Sequence, residues 1–540
     1  MINWKLFLTS GLIVAAVILF SAGLFSCSRP DKSPEELVIG LESEPERLSP
    51  VTIKNPQTFR VAWQIYEGLL GLDENGEIVP RIAKSWETDD NKVWTFHIRE
   101  GMNFHQSEIF GNPSETRSVT AHDVHYSYTR FCSPGAFASF VLADSIKGCA
   151  AYNAGNADEV EGLRVIDDYT FQIELNKPEP FFVNRITSPW ISIFPEEAEK
   201  DEFKDQWGLT MAVGTGPYQL LSKSDNEIVL EKNEKYWDED RIPQIHRIVF
   251  RVIRNDQVRF TELRNKRIDL MLLPSQLFST VFDRNGEPQE QYKENFNLKE
   301  TRTFNTHLIG INMERVPDVH LRRAMFFGVD RDEMVQKILY GHADIIGGAT
   351  PPGMHGYESP FENLHAPERA AMELAKSQYQ GERINLLVHD LANSELIGQL
   401  FQNQMKDIGI NIELTKLDFD STIGRMVRGD VQLFSTFAEV VFSSPEPLLL
   451  NLFSSTKRPA PNFWHYSNPE IDDKLEGLRD IDDRAESLKA SADIEKAIMD
   501  EVPAIFLYRQ KQIIMFSNRF NELMVNGHDH FMLEKMRIKE

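Results

Sequence analysis

Short apolar runs alternate along the chain with longer segments whose apolar positions recur every three or four residues. The first kind predicts strands at "ELVIGL" (36–41), "KVWTFHI" (92–98), "YTFQIEL" (169–175), "EIVLEKN" (227–233), "RIVFRVI" (247–253), "RIDLMLL" (267–273), "HLIGINM" (307–313), "RINLLVH" (383–389) and "INIELTKL" (410–417). The second kind predicts helices at "FRVAWQIYEGLLGLD", where Val61, Ile65 and Leu69 share a face and Gly71 stops the run, and at "DQVRFTELRNK" (256–266), "VHLRRAMFFGV" (319–329) and "SELIGQLFQNQMKDIG" (394–409). In "SVTAHDVHYSYTRF", Thr120 and Asp123 have the spacing of a capping box, so a helix begins there. Strands and helices in alternation predict α/β architecture.

The length of 540 residues implies two to four domains at roughly 150 residues each. Hydrophobic residues at 41% and charged residues at 26% describe ordinary globular domains, without low-complexity tracts or a convincing repeat. The net charge of −24 repels a polyanion, and no basic patch interleaved with aromatics offsets it, which argues against nucleic-acid binding.

The amino terminus changes the picture more than the overall charge. After Lys5, "LFLTSGLIVAAVILFSAGLFS" runs 21 residues without a charge, as an export signal does, and is long enough to span a bilayer. Lys5 keeps the start in the cytoplasm, so the rest of the chain lies outside. "LFSC" (Leu24 to Cys27) resembles the lipobox of bacterial lipoproteins, which implies lipidation of Cys27 and removal of residues 1–26; an uncleaved membrane anchor is the alternative. "SRPDKSPEE" then reads as a polar tether. Cys132 and Cys149, 17 positions apart, form a disulfide or remain two free thiols, since spacing alone does not fix pairing.

Motifs that carry chemistry are missing: there is no G-x-S-x-G, no phosphate loop, no H-E-x-x-H and no C-x-x-C. "GTGPY" (214–218) is a tight turn into a strand. "HDVH" places His122 and His125 on one helical face, but without a third ligand it predicts no metal, and "HDH" (528–530) reads as a solvated loop. No cofactor is expected.

Several segments, in order, resemble the extracellular solute-binding proteins of ABC importers, family 5, the oligopeptide, dipeptide and nickel class. They include "PRIAKSWETDDNKVWTFHIREGMNFH", "VTAHDVHYSYTRF", "LRVIDDYTFQIELNKPEPFF", "VHLRRAMFFGVDRDEMVQKILYGHADIIGGATPPG" and "YSNPEIDDKLEGL". The resemblance spans roughly residues 37–540 and implies a two-lobe periplasmic-binding-protein-like fold (type II, cluster C) with an extra subdomain in the first lobe. It places lobe I at 37–57 and 188–300, the extra subdomain at 58–187, lobe II at 301–527 and a return to lobe I at 528–540. Crossings are expected near Lys299–Thr303 and Val525–Asp529.

What the resemblance implies for function is a monomeric receptor, not an enzyme, tethered outside the cytoplasm by its lipid. It would capture an oligopeptide and deliver it to an ABC permease and ATPase complex. The alternatives are a receptor of the same fold for a metal chelate or an oligosaccharide, or an anchored envelope hydrolase. Peptide receptors of this family carry a pattern like W-x-x-D-Y-x-x-P, whose aspartate grips the peptide amine. Aligning Pro445 puts Ala438, Val441 and Phe442 at the tryptophan, aspartate and tyrosine, so the acid is missing and Glu439 stands two residues earlier. Glu439, Val440, Val441 and Phe442 are therefore expected at the ligand, together with Glu44 in "ESEPERLSP" and Phe137 in "GAFASF".

Overall fold

The structure, a computed structural model, describes residues 35–539, apart from 189, 353, 355–356, 362–363, 390–392, 439–443, 482 and 527–528; the side chains of 303–305 and 438 also lie outside the description. Cys27, the signal segment, and the candidate residues Glu439, Val440, Val441 and Phe442 are thus outside the described residues.

An 11-stranded sheet organises the described residues. The strands that matter for the site are β1 (Glu36–Leu41), β2 (Arg247–Val252), β3 (Leu270–Leu273), β4 (Phe296–Ile311), β5 (Ile384–Val388), β6 (Leu433–Ala438) and β7 (Ala504–Ser517). Their order in the sheet is β5-β6-β4-β7-β3-β1-β2, with Ile412–Lys416 outside β5 and the hairpin Tyr218–Lys223 and Glu227–Lys232 outside β2. β1 lies between parallel β2 and β3, and five of its six residues are buried, so it is an unbroken apolar run rather than an alternating one.

β4 and β7 are long because they serve both halves of the sheet. They pair antiparallel from Phe296↔Ser517 to Gly310↔Ala504, and the register breaks between Arg302 and Thr306. The first expected crossing, Lys299–Thr303, lies in β4. The second is β7, not Val525–Asp529: Val525 is buried in the first core and bridges to Phe531. The core gathering Leu37 to Phe250 also takes Ile514 through Met536, so the chain returns to its first half within β7, upstream of the expected residue 528. A second core collects apolar residues mostly between Phe260 and Met515.

A separate four-stranded antiparallel sheet, Ala83–Glu87, Val93–Ile98, Thr170–Glu174 and Leu163–Asp167, lies inside the expected insertion at 58–187. Beside it the helix Ala121–Cys132 starts at the predicted Thr120/Asp123 capping box, and Cys132 is disulfide-bonded to Cys149.

The helix expected to run to Gly71 is shorter. α1 (Pro56–Ile65) starts on Asn55, whose side chain accepts the Thr58 amide, and ends at Tyr66; Leu70–Leu72 is instead a strand against Ile78–Pro80. Gly68 marks the turn, since a Cβ there would sit 2.7 Å from the Ile191 carbonyl oxygen.

Candidate functional site: a cleft between strand ends

The strand directions define the cleft. β3 runs antiparallel to β7, so the carboxyl ends of β3 and of its parallel neighbour β1 point toward the second half of the sheet. β6 runs antiparallel to β4, with Ala438 opposite Thr306, so its carboxyl end and that of parallel β5 point back toward the first half. Both walls are therefore built from strand carboxyl ends, where ligands settle in open α/β sheets. The residues just past these ends are Glu42 and Glu44 after β1, Arg254 after β2, His389 after β5 and the segment 439–443 after β6.

On the first wall, α1 sends Arg60 between two carboxylates. Its Nη1 donates to Glu42 Oε1 at 2.8 Å, and Nε and Nη2 donate to Asp529 Oδ2 at 2.9 and 2.6 Å. Gln57 adds a bond to Glu42 Oε1 at 2.7 Å. Burial pushes the Glu42 carboxyl up, but the charge and hydrogen bond of Arg60 and the bond from Gln57 outweigh it and hold it at about 2. Asp529 is more enclosed; burial, with Glu42 nearby, raises it despite Arg60. One guanidinium between two carboxylates leaves this corner with one excess negative charge.

Sequence reasoning missed this triad. It chose Glu44, which is half-buried with Oε2 3.4 Å from the Arg254 guanidinium, and it read "HDH" as solvated. Asp529 is instead paired, and His530 lies over Trp63 at 4.8 Å; His528 is outside the described residues. The available signal was Arg60 itself, a charge set between the apolar Phe59 and Val61 of the helix, and it is only 3% exposed.

Beside the triad lies an aromatic wall. Phe59 of α1 meets Trp190 edge-on at 4.9 Å, and Trp190 lies 6.1 Å from Phe137 and 5.6 Å from Phe140. The Phe137 amide donates to the Val51 carbonyl, which fixes this segment to the chain that comes after β1. Phe137 and Phe140 remain 36% and 42% exposed, apolar area that a ligand can cover.

The second wall carries neutral rings. His307 on β4 stacks on Tyr508 of β7 at 4.9 Å and stands 6.2 Å from Phe437; Phe437 stacks on Phe419 at 5.8 Å, and His389 packs edge-on against Phe419 at 5.1 Å. Burial, helped by His389, lowers the His307 imidazole to about 4, so it is uncharged at neutral pH. Ala438 ends β6, and Ser444 precedes the helix α2 (Pro445–Phe453). The candidates 439–442 lie between them, outside the described residues.

Where the strands cross, Glu300 accepts from Lys511 at 2.7 Å and meets His342 Nδ1 at 2.8 Å, while Asp344 holds Arg509 at 2.9 Å and Arg302 at 3.0 Å. These pairs brace both sides of the register break. Elsewhere, His122 stands 3.6 Å from Asp168 in solvent and His125 packs on Phe171; among the described residues no group of three or more His, Cys, Asp or Glu side chains is placed to hold a metal. No helix among them is long and apolar enough to cross a membrane.

Comparison with known proteins agrees with this geometry. Residues 77–460 match the family model described as bacterial extracellular solute-binding proteins, family 5, middle. The chain is 26% identical over 489 residues to the periplasmic oligopeptide-binding protein OppA of Salmonella typhimurium, covering 86% of this chain and 83% of that one. It is 25% identical over 530 residues to the probable deoxycholate-binding periplasmic protein YgiS of Escherichia coli, covering 94% of each. Among solved structures, the unliganded open form of the murein tripeptide-binding protein MppA superposes with a TM-score of 0.77 at 22% identity, covering 93% of this chain and 97% of that one.

Proposed function

Because the chain belongs to the bacterial extracellular solute-binding proteins of family 5, we propose that it captures a small ligand of the peptide class between two closing halves, outside the cytoplasm, and hands it to the permease and ATPase of an ABC importer. Its first half comprises residues 37–300 with the end of the chain, its second half runs from β4 to β7, and Cys27 carries the lipid that tethers the monomer.

One observation carries the reading: strand carboxyl ends from both halves meet across a cleft spanned by β4 and β7. A ligand touching both walls makes contacts that exist only when the halves are together, and so favours the closed state. The excess negative charge at Glu42, Arg60 and Asp529 suits an amine. A binding role also accounts for the wall of packed imidazole and phenyl rings, His307, His389, Phe419 and Phe437.

Mass spectrometry of the compounds that co-purify with the protein tests this. A family of peptides is the expected result; a single non-peptide compound overturns the peptide reading, and hydrolysis of supplied peptides or esters overturns the receptor reading. A non-peptide, largely apolar ligand is the second reading, favoured by the exposed rings of Phe137 and Phe140 beside Trp190.

A further inference from the structure

The two halves also touch outside the shared sheet. Glu179 and Arg185, from the segment after the four-stranded sheet, line a small pocket together with Ser444, Glu446 and Arg479 of the second half. Arg185 Nη2 lies 3.4 Å from Glu179 Oε2, and Arg479 Nε lies 3.4 Å from Glu446 Oε1. Ser145 donates to the same Glu179 oxygen at 3.0 Å. Next to it, Lys457 Nζ of the second half reaches Asp144 Oδ2 of the first at 3.0 Å.

The charges are arranged across the boundary, not only within each half. Arg185 and Arg479 both act on Glu446, and Arg479 is drawn to Glu179 as well as Glu446. Glu179 and Glu446 are each 8% exposed, so both carboxylates are largely out of water where the halves meet. Within the second half, Arg479 also lies 3.7 Å from the exposed carboxylate of Glu476. Together Glu179, Arg185, Glu446 and Arg479 form a quartet of two acids and two guanidiniums whose balance depends on every member.

Position links the quartet to the cleft. Glu446 is the second residue of α2 and stands three residues beyond 439–443, the segment expected at the ligand.

We propose that Glu179, Arg185, Glu446 and Arg479, with the Asp144–Lys457 pair, form the latch that holds the two halves together and sets how long a bound ligand stays. This rests on the two-half closure proposed above, but not on the ligand being a peptide.

Lys457 and Asp144 provide the readout, because a zero-length carbodiimide joins an amine to a carboxylate only when they touch. The full-length protein in detergent micelles, without added ligand, is treated and the Lys457–Asp144 amide is quantified by mass spectrometry. Arg185→Gln leaves two enclosed carboxylates facing one guanidinium, so the yield is expected to fall roughly tenfold or more. Arg479→Gln removes the partner on the opposite half and gives the same fall, which keeps the test decisive even if Arg185→Gln disturbs its own half. Adding Glu179→Gln to Arg185→Gln restores the balance and most of the yield. Unchanged yield in both arginine variants, or no recovery in the double variant, overturns the latch. Failure to recover peptides from the purified protein overturns the ligand class and leaves the crosslinking result standing.

Discussion

Arg60 binds Glu42 and Asp529 at once, with its Nη1 at 2.8 Å from one carboxylate and its Nη2 at 2.6 Å from the other. The pair of bonds ties the residue after the first strand to the last loop of the chain through one helix. Replacing Arg60 by Gln strands two carboxylates in a closed corner, a loss of about 3 to 5 kcal/mol that a lowered urea midpoint reports. Asp529→Asn keeps the Arg60–Glu42 pair and removes only the excess charge. Its expected stability cost is small, and its expected effect is weaker binding of amine-bearing ligands.

The disulfide of Cys132 and Cys149 closes a loop of 17 positions. Cys132→Ser with Cys149→Ser should lower stability by about 3 kcal/mol, the usual size for a loop of this length. The checking measurement is thermal unfolding of the oxidised wild type, the reduced wild type and the double variant. The last two should melt together, well below the first.

His307 gives the protein an acid-sensitive element. Its imidazole falls from 6.5 to about 4 in the folded state, so the unfolded chain binds its proton more readily between those values. The contribution of neutral His307 is complete above pH 6.5 and is lost as pH falls through about 4, with a limit of about 3 kcal/mol. A series of urea titrations from pH 7 to pH 4 should show a shallower slope for His307→Asn than for wild type. Equal slopes would mean that burial of this ring is not what the acid limb reports.

Glu44, Glu439 and Phe137 test the ligand walls separately. Glu44→Ala and Glu439→Ala should weaken binding of an amine-bearing peptide by calorimetry, and no change in either variant counts against recognition by these acids. Phe137→Ala should reduce affinity for peptides with a bulky apolar side chain by a few-fold to tenfold, and leave glycine-rich peptides nearly unaffected.

The predicted strands reappear because central strands such as β1 are apolar on both faces, and the helix at Ala121 reappears because its cap is local. The crossing at β4 was also legible. β7 was not, because the pairing of Thr301 with Gln512 lies between residues 211 positions apart, and nothing local in "AIFLYRQKQIIMFS" marks where one core ends and the next begins. The site divides in the same way. Phe137 and Glu44 were chosen through a resemblance, while the Arg60 triad depends on the last loop folding back onto α1, which no short-range pattern encodes. "HDH" looked polar and therefore wet, yet a polar loop folded onto a buried arginine becomes part of the interior.

The carboxyl end of β1 opens on the cleft, so Glu36, five residues and about 17 Å back along the strand, sits at its far end. The chain thus enters β1 at the end that faces away from the cleft. A ligand in the cleft and the incoming chain therefore meet the same strand at its two opposite ends.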